Sequence, residues 1–332
     1  MPRQETERMP TRTSFVPRLE VTPPDISAYR QGNTGIDYVT TLDSGVPGPH
    51  VMINALTHGN EICGAHALDY LFREGVRPAR GRLTLSFANV EAFLTFSAAD
   101  PFASRYVDED FNRLWSDDVL SSARSSRELK RARAFAPLVE QADWLLDLHS
   151  MHLPSPPLLL CGMQDKGVAL GRALDYPRHM VRDWGHAAGK RMRDFRAFDD
   201  PGSPKAAMLV ECGQHWEQRS VDVAIETALR FLRHCGVVDK AWADERLRVS
   251  DPPEQVLIEV SGPVTIKTEN FRFVEDYRGM EVIAKADTVI GYDGNEEIRT
   301  PFDNCVLVMP GRQLVPGLSA VRLGRLVQVA AS

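Results

Sequence analysis

The chain has 332 residues, with 39 basic and 45 acidic side chains for a formal charge of −6, 43% hydrophobic residues and 25% charged. That is the balance of a soluble globular protein long enough for one large domain plus a smaller one. It offers no basic stripe for a nucleic-acid backbone and no apolar run long enough to span a bilayer, so neither nucleic acid nor membrane is expected as a partner.

Residues 1–30 are rich in Pro, Thr and charge without sustained period and read as an N-terminal extension, packed on a neighbouring element. The opening MPRQETERMPTRTSF lacks the apolar core of a signal peptide, which makes the cytoplasm the expected location. From Tyr38 onward, strand-length apolar runs alternate with helical patterns. HVMINAL (50–56) predicts a buried strand, followed by LTHGNEICG and a helix over 61–74. LTLSFANV (83–90) predicts the next strand, and SRYVDEDFNRLW (104–115) has no clear period. A helix over 126–141 leads to the strand WLLDLHS (144–150), then PLLLCG (157–162), a helix over 165–174, the strand AAMLVECG (206–213) and a helix over 219–235. In that last helix Val221, Ala224, Ile225, Ala228, Leu229, Leu232 and Cys235 form one apolar stripe. Several strands are apolar on both faces, as in a covered sheet. The catalytic unit expected is therefore an α/β domain over 31–245, a mixed sheet flanked by helices. Near residue 246, past which Asp251-Pro252-Pro253 follows, the texture shifts to short β-like runs punctuated by Gly and Pro, and residues 246–332 read as a smaller C-terminal β domain.

The five cysteines are odd in number and scattered, with no C-x-x-C pair. They read as reduced thiols, so any metal must be held by His and carboxylate. In open α/β sheets ligands gather beyond the carboxyl ends of the strands. Three predicted strands end there in polar residues: His58 and Glu61 after the first, His149 in the strand that follows helix 126–141, and Glu211 in the strand over 206–213. His58, Glu61 and His149 would make the three-ligand set of a catalytic zinc site, leaving the fourth position to water. Glu211 is then the candidate for the free carboxylate that moves a proton. The bland reading of the first pair keeps Asn60 as a helix N-cap, Glu61 in the first turn and His58 in a loop. His149 and His152, in HSMHLPSPP, also suit a metal pair, but His58 has a Glu at motif spacing and is preferred. In the 104–115 segment, Arg105 could stabilise an oxyanion, and Asn112 with Arg113 could clamp a carboxylate. The alternative is a solvated loop whose arginines pair with Asp108, Glu109 and Asp110. Asp147 could orient a ligand imidazole or be a strand-end charge. His152 and His215 could line a pocket rim or be exposed.

Taken in order, HGNE, RYVDEDFNR, DLHS and VECG resemble the succinylglutamate desuccinylase/aspartoacylase family, within the wider zinc-carboxypeptidase-like fold. The resemblance spans about 50–215 by motif, and the β-rich tail is similar to the second domain such proteins carry. It implies one zinc per chain on His58, Glu61 and His149, Glu211 as general base and acid, Arg105 on the scissile carbonyl, and Asn112 and Arg113 on a substrate carboxylate. Cys212 departs from the aliphatic residue usual after the base and reads as a small hydrophobe. The family's C-terminal tyrosine has two rival equivalents here, Tyr277 and Tyr292, and neither is assigned to the site.

The expected activity is thus zinc-dependent removal of an N-acyl group from an acylated amino acid or related small amine. The alternative is a zinc carboxypeptidase acting on a peptide or cell-wall fragment. A non-enzymatic binder would require loss of a ligand or of the base, and none is lost. A homo-oligomer is left open.

Overall fold

The computed structural model describes residues 18–185, 188–312 and 314–327. Most of the N-terminal extension, and His186 among the histidines, lie outside the described residues.

The first half alternates strands and helices in the order β1 (Val39–Asp43), β2 (His50–Ala55), α1 (Cys63–Arg73), β3 (Arg82–Phe87), α2 (Val90–Phe93), α3 (Asp117–Ser121), α4 (Arg127–Gln141) and β4 (Trp144–Met151). It continues with β5 (Leu158–Leu160), α5 (Asp165–Leu174), β6 (His179–Arg182), β7 (Ala206–Gln214), α6 (Gln218–Cys235) and α7 (Lys240–Asp244). The remainder is all β: β8 (Val256–Thr265), β9 (Phe271–Phe273), β10 (Val282–Ile283), β11 (Val289–Asp293), β12 (Glu296–Arg299), β13 (Cys305–Val308) and β14 (Ser319–Val327). The result is a mixed α/β fold with a large mixed sheet, ordered β1-β3-β2-β4-β7-β5-β6-β8-β14-β13-β10, and a smaller antiparallel sheet, β12-β11-β9. Strands β3, β2, β4 and β7 run parallel. β8 joins β6 in parallel, so the C-terminal strands extend the main sheet.

Side chains alternate across the sheet with period two, and each face has its own cover. Ile53, Leu146, Leu148 and Val210 pack under α1, α5 and α6. All seven stripe residues of α6 are buried, and the helix ends at Gly236 in the left-handed conformation. Met52, Leu145 and Ala207 face the other way, against Leu129, Ala132, Phe135 and Val139 of α4. The described part of the extension packs within the chain: Tyr29 stacks on Phe72 with ring centroids 4.3 Å apart and donates to Asp69 at 2.7 Å. All five cysteines are buried and free. No helix among the described residues is long and apolar enough to cross a membrane.

Candidate active site

The parallel strands β2, β4 and β7 end on one edge, and the polar residues of the α4 side gather there. Asp147 and His149 are two apart on β4 and share a face, and His149 is in register with Glu211 of β7. Beyond β2 the chain turns through Leu56, whose φ of 58° is unusual for a side chain branched at Cγ. It then passes His58 and Gly59. A Cβ on Gly59 would lie 2.4 Å from both the Phe93 nitrogen and the Ser104 oxygen, so only glycine lets the 92–105 segment approach this closely. Gly59 N–H donates to the Arg105 carbonyl at 3.0 Å, tying the two loops together.

The helix-cap reading of this turn is not what the chain does. Helix α1 starts at Cys63 with Ile62 at the cap position and no side-chain cap. Asn60 is buried, and neither polar atom of its side chain has a partner among the described residues. Glu61 lies before the helix with its carboxylate turned inward. His58 Nδ1 is 2.7 Å from Glu61 Oε1, and His149 Nδ1 is 2.8 Å from Oε2. The Ser150 backbone N–H and Arg105 Nη1 donate to the same carboxylate at 3.2 Å each. One donor atom from each of His58, Glu61 and His149 lies within 4.8 Å of the others, all three residues buried. Two imidazoles and a carboxylate in this convergence fit a divalent ion of the zinc type.

Each ring has a carboxylate behind it. His149 Nε2–H donates to Asp147 Oδ2 at 2.8 Å, while Asp147 Oδ1 accepts from Asn54 and Thr57, each at 2.8 Å. Asn54 in turn accepts from Ser86 at 2.8 Å, so a polar ladder crosses β3, β2 and β4 and ends on His149. His58 Nε2 lies 2.9 Å from Asp110 Oδ1 and 2.9 Å from Arg105 Nη2. Burial works against charge on these groups, but the rings outweigh it and hold Glu61 and Asp147 below the ordinary carboxylate range. Burial likewise opposes the imidazolium of His149, yet Asp147 and Glu61 raise its pKa well above the ordinary histidine value. A metal cation binding here would displace a proton from His149.

Glu211 is different. It is buried, its Oε2 has no partner among the described residues, and burial together with the neighbouring Glu61 pushes its pKa up to about 8. Arg105, on a short turn over Ala103–Arg105, spans Glu61 and Asp110, with Nη2 3.1 Å from Asp110 Oδ2. Asn112 is buried, and its Oδ1 accepts the Met192 N–H at 2.8 Å, which fixes the amide with Nδ2 as the remaining donor. Arg113 donates to the Asn112 carbonyl at 2.8 Å and lies 3.9 Å from Asp110 Oδ2, too far for a hydrogen bond. Asp108 pairs elsewhere, with the Arg127 N–H at 2.8 Å.

Thus all seven sequence-selected residues, His58, Glu61, Arg105, Asn112, Arg113, His149 and Glu211, line one cavity of about 610 Å³. The C-terminal part supplies its far wall, with Arg278, Met309, Arg312 and Arg322. Neither His152 nor His215 is exposed; His215 is buried, and the half-buried His152 lines the cavity. Ser150 Oγ and His215 Nδ1 are 2.8 Å apart, and His66 is turned away, 2.8 Å from the Thr22 carbonyl. Tyr277 sits in a small apolar cluster and Tyr292 lies against the Arg272 guanidinium, so neither reaches the cavity; Tyr106 does. Cys212 is buried and its thiol is pushed far up by burial and by Cys63, consistent with packing. The loop reading of Asp110 missed its contact with His58. Its position two residues before Asn112 gave no signal of that; the i, i+2 spacing of Asp147 and His149 on a strand did.

The sequence profile of the succinylglutamate desuccinylase/aspartoacylase catalytic domain matches residues 47–235. The chain belongs to this family. Membership supports deacylase activity, the hydrolysis of an amide. Solved structures agree in fold. Succinylglutamate desuccinylase from Vibrio parahaemolyticus is 18% identical, with a TM-score of 0.65 over 88% of this chain and 87% of that one. The Vibrio cholerae desuccinylase is 17% identical, with a TM-score of 0.66 over 90% and 88%. The product-bound ectoine utilization protein EutE (DoeB) from Ruegeria pomeroyi is 17% identical, with a TM-score of 0.61 over 88% and 92%. No curated protein matches the chain.

Proposed function

We propose that this desuccinylase/aspartoacylase family member is a zinc-dependent amidohydrolase that removes the N-acyl group from an acylated amino acid or related small amine. The observation that carries the reading is the buried convergence of His58 Nδ1, Glu61 and His149 Nδ1, each ring backed by a carboxylate. These three residues would hold one zinc. When bound, the ion supplies a Lewis acid for the scissile carbonyl and brings the pKa of water toward ~7.

The chain's own residues do the rest. Glu211, beside His149, takes the proton of the attacking water and delivers it to the leaving nitrogen. Its Oε2, without a partner among the described residues, is free to accept a proton, and its elevated pKa favours holding that proton between the two transfers. Arg105 turns its guanidinium toward the carbonyl oxygen as negative charge develops there. Asn112, through Nδ2, and Arg113 hold a substrate carboxylate near the scissile bond. Asp147 and Asp110 hold the two imidazoles in the tautomer that leaves Nδ1 for the metal. We assign the catalytic machinery to residues 31–245 and the cover of the cavity to 246–332. A cavity of about 610 Å³ walled by both parts suits a small acylated amino acid better than a peptide chain.

The test is a hydrolysis screen of zinc-loaded protein against N-acetyl, N-formyl and N-succinyl amino acids, N-succinylglutamate first, with short peptides alongside. Release of the free amino acid, abolished by a chelator, is expected. Cleavage of peptides alone would move the assignment to a carboxypeptidase.

A further inference from the structure

The cavity is lined by six arginines and three carboxylates. Among the described residues the side chains of Arg105, Arg191 and Arg312 hydrogen-bond to acids, whereas those of Arg113, Arg278 and Arg322 do not, and Arg322 is the most telling of these. Arg322 projects from β14, in register with Val308 of β13 and Pro263 of β8. Its side chain is only 17% exposed. Among the described residues its polar contacts are Met309 Sδ at 3.7 Å, a weak acceptor, and Asp183 Oδ2 at 3.8 Å. Asp183 is already engaged, receiving Arg191 Nη1 at 3.0 Å and Nη2 at 2.9 Å. Arg191 Nε also donates to Asp194 at 2.6 Å, and Arg193 donates to Asp194 as well. Three guanidinium groups therefore share two carboxylates, and Arg322 is left without a hydrogen-bonding acid. A guanidinium has five donors and no acceptor, so burial without matching acceptors is costly unless a ligand supplies them.

Arg113 is in a similar position on the same cavity. Its hydrogen bond goes to a backbone carbonyl, and its nearest acid, Asp110, is 3.9 Å away and holds His58 and Arg105 at closer range. Both arginines line the same cavity. Burial lowers the Arg113 pKa, Asp110 opposes this, and the charges of Arg105, Arg191 and Arg322 lower it further. Burial also lowers that of Arg322, with Arg191 adding to the effect and Asp183 and Glu211 opposing it. Two desolvated cations lining one cavity, each with spare N–H groups, make a receptor for an anion placed between them.

We propose that Arg322, from the C-terminal part of the chain, holds the substrate carboxylate jointly with Arg113. The specificity site is then completed by two chain segments about two hundred residues apart in sequence, and the C-terminal strands select substrate as well as covering the cavity. The proposal rests on the deacylase reading for what the bound carboxylate belongs to.

The experiment is calorimetric titration of the zinc-loaded protein with succinate and with its uncharged counterpart succinamide. Wild type, Arg322→Met, Arg113→Met, the double variant and Arg322→Lys are compared, and melting temperatures are recorded for each. Methionine keeps an unbranched stem beside Met309, and Asp183 keeps its two bonds from Arg191. Each single methionine variant should bind succinate ~10- to 100-fold more weakly, the range for hydrogen bonds to a charged group, with succinamide unchanged. The double variant should lose less than the product of the single losses, because both side chains serve one carboxylate. Arg322→Lys should fall between wild type and Arg322→Met, since it keeps the charge and loses the fork. Wild-type succinate affinity in both Arg322 variants would overturn the proposal, as would fully multiplicative losses, which would mean two independent sites. Titration needs no turnover. Inactivity toward every acylated substrate would defeat the deacylase reading and leave this measurement standing.

Discussion

Glu128 shows how the fold delivers Arg105, Asn112 and Arg113 to the cavity. It sits in the first turn of α4, fully buried, where the helix dipole favours an acid. Oε1 accepts the Val107 N–H at 2.7 Å and Asn89 Nδ2–H at 3.1 Å; Oε2 accepts the N–H groups of Asp108 at 3.1 Å and Glu109 at 3.3 Å. One carboxylate thus pins the backbone of 107–109, the link between Arg105 and the Asp110–Arg113 turn. In Glu128→Gln one oxygen can still accept, but an NH2 group replaces the other and two of the four bonds are lost. At ~1.5–3 kcal/mol for each hydrogen bond to a charged group, the ceiling is roughly 3–6 kcal/mol, less whatever the loop recovers by relaxing toward water. Misplacement of a positioned group by about 1 Å can cost ~10²-fold in rate, so a matching fall in kcat/KM is expected for a cleaved acyl-amino acid. Urea unfolding measures the first effect and steady-state kinetics the second. A lower urea midpoint with kcat/KM within about twofold of wild type would refute the positioning role, leaving Glu128 a purely structural acid.

Three further outcomes follow from the same geometry. Glu211→Gln should retain zinc and the fold while losing ~10²–10⁴-fold in kcat, the usual contribution of a proton-transfer group; unchanged kcat would show that another residue moves the proton. Asp147→Asn should weaken zinc affinity ~10- to 100-fold in a competitive chelator titration, because the His149 ring loses its anionic partner; equal affinity would mean that Asp147 only fills the ladder. His50 reports on pH. Burial, aided by Arg82 and opposed by Asp143, lowers its pKa from 6.5 to about 4, with Nε2 2.8 Å from Thr84 Oγ1. Between pH 6.5 and 4 the unfolded chain takes up a proton that the folded chain refuses. The stability associated with neutral His50 is therefore present above pH 6.5 and lost as pH falls toward 4, by about 3 kcal/mol in all. His50→Gln should flatten that part of the stability curve, and an unchanged slope in urea unfolding would contradict the assignment.

Residues of the site were readable where a local pattern and a strand end coincided. His149 and Glu211 close apolar runs that could only be buried strands, and parallel pairing then places strand ends together. The His58–Glu61 turn was readable as a pair, and its freedom from helix capping was not, because Asn60 and Glu61 also satisfy the composition of a helix start. Partners that depend on tertiary approach left no mark in the sequence. Asp110 meets His58 across 52 positions, Glu128 meets the 107–109 backbone from α4, and Arg322 comes from the far end of the chain. Strand β1, with the sequence VTTLD, is too polar to stand out, and β6, at four residues, is too short for a period. The continuation of the main sheet through β6 into β8 was hidden by the change in texture near residue 246, which marks a shift from helix-covered to antiparallel strands.

The central claim is that His58, Glu61 and His149 hold one catalytic zinc. Equilibrium dialysis against buffered zinc, followed by elemental analysis, tests it directly on wild type, His149→Ala and Glu61→Gln. The account predicts about one zinc per chain in wild type and none retained by either variant once free metal is buffered. Wild type that takes up no zinc, or variants that hold as much of it, would contradict the account.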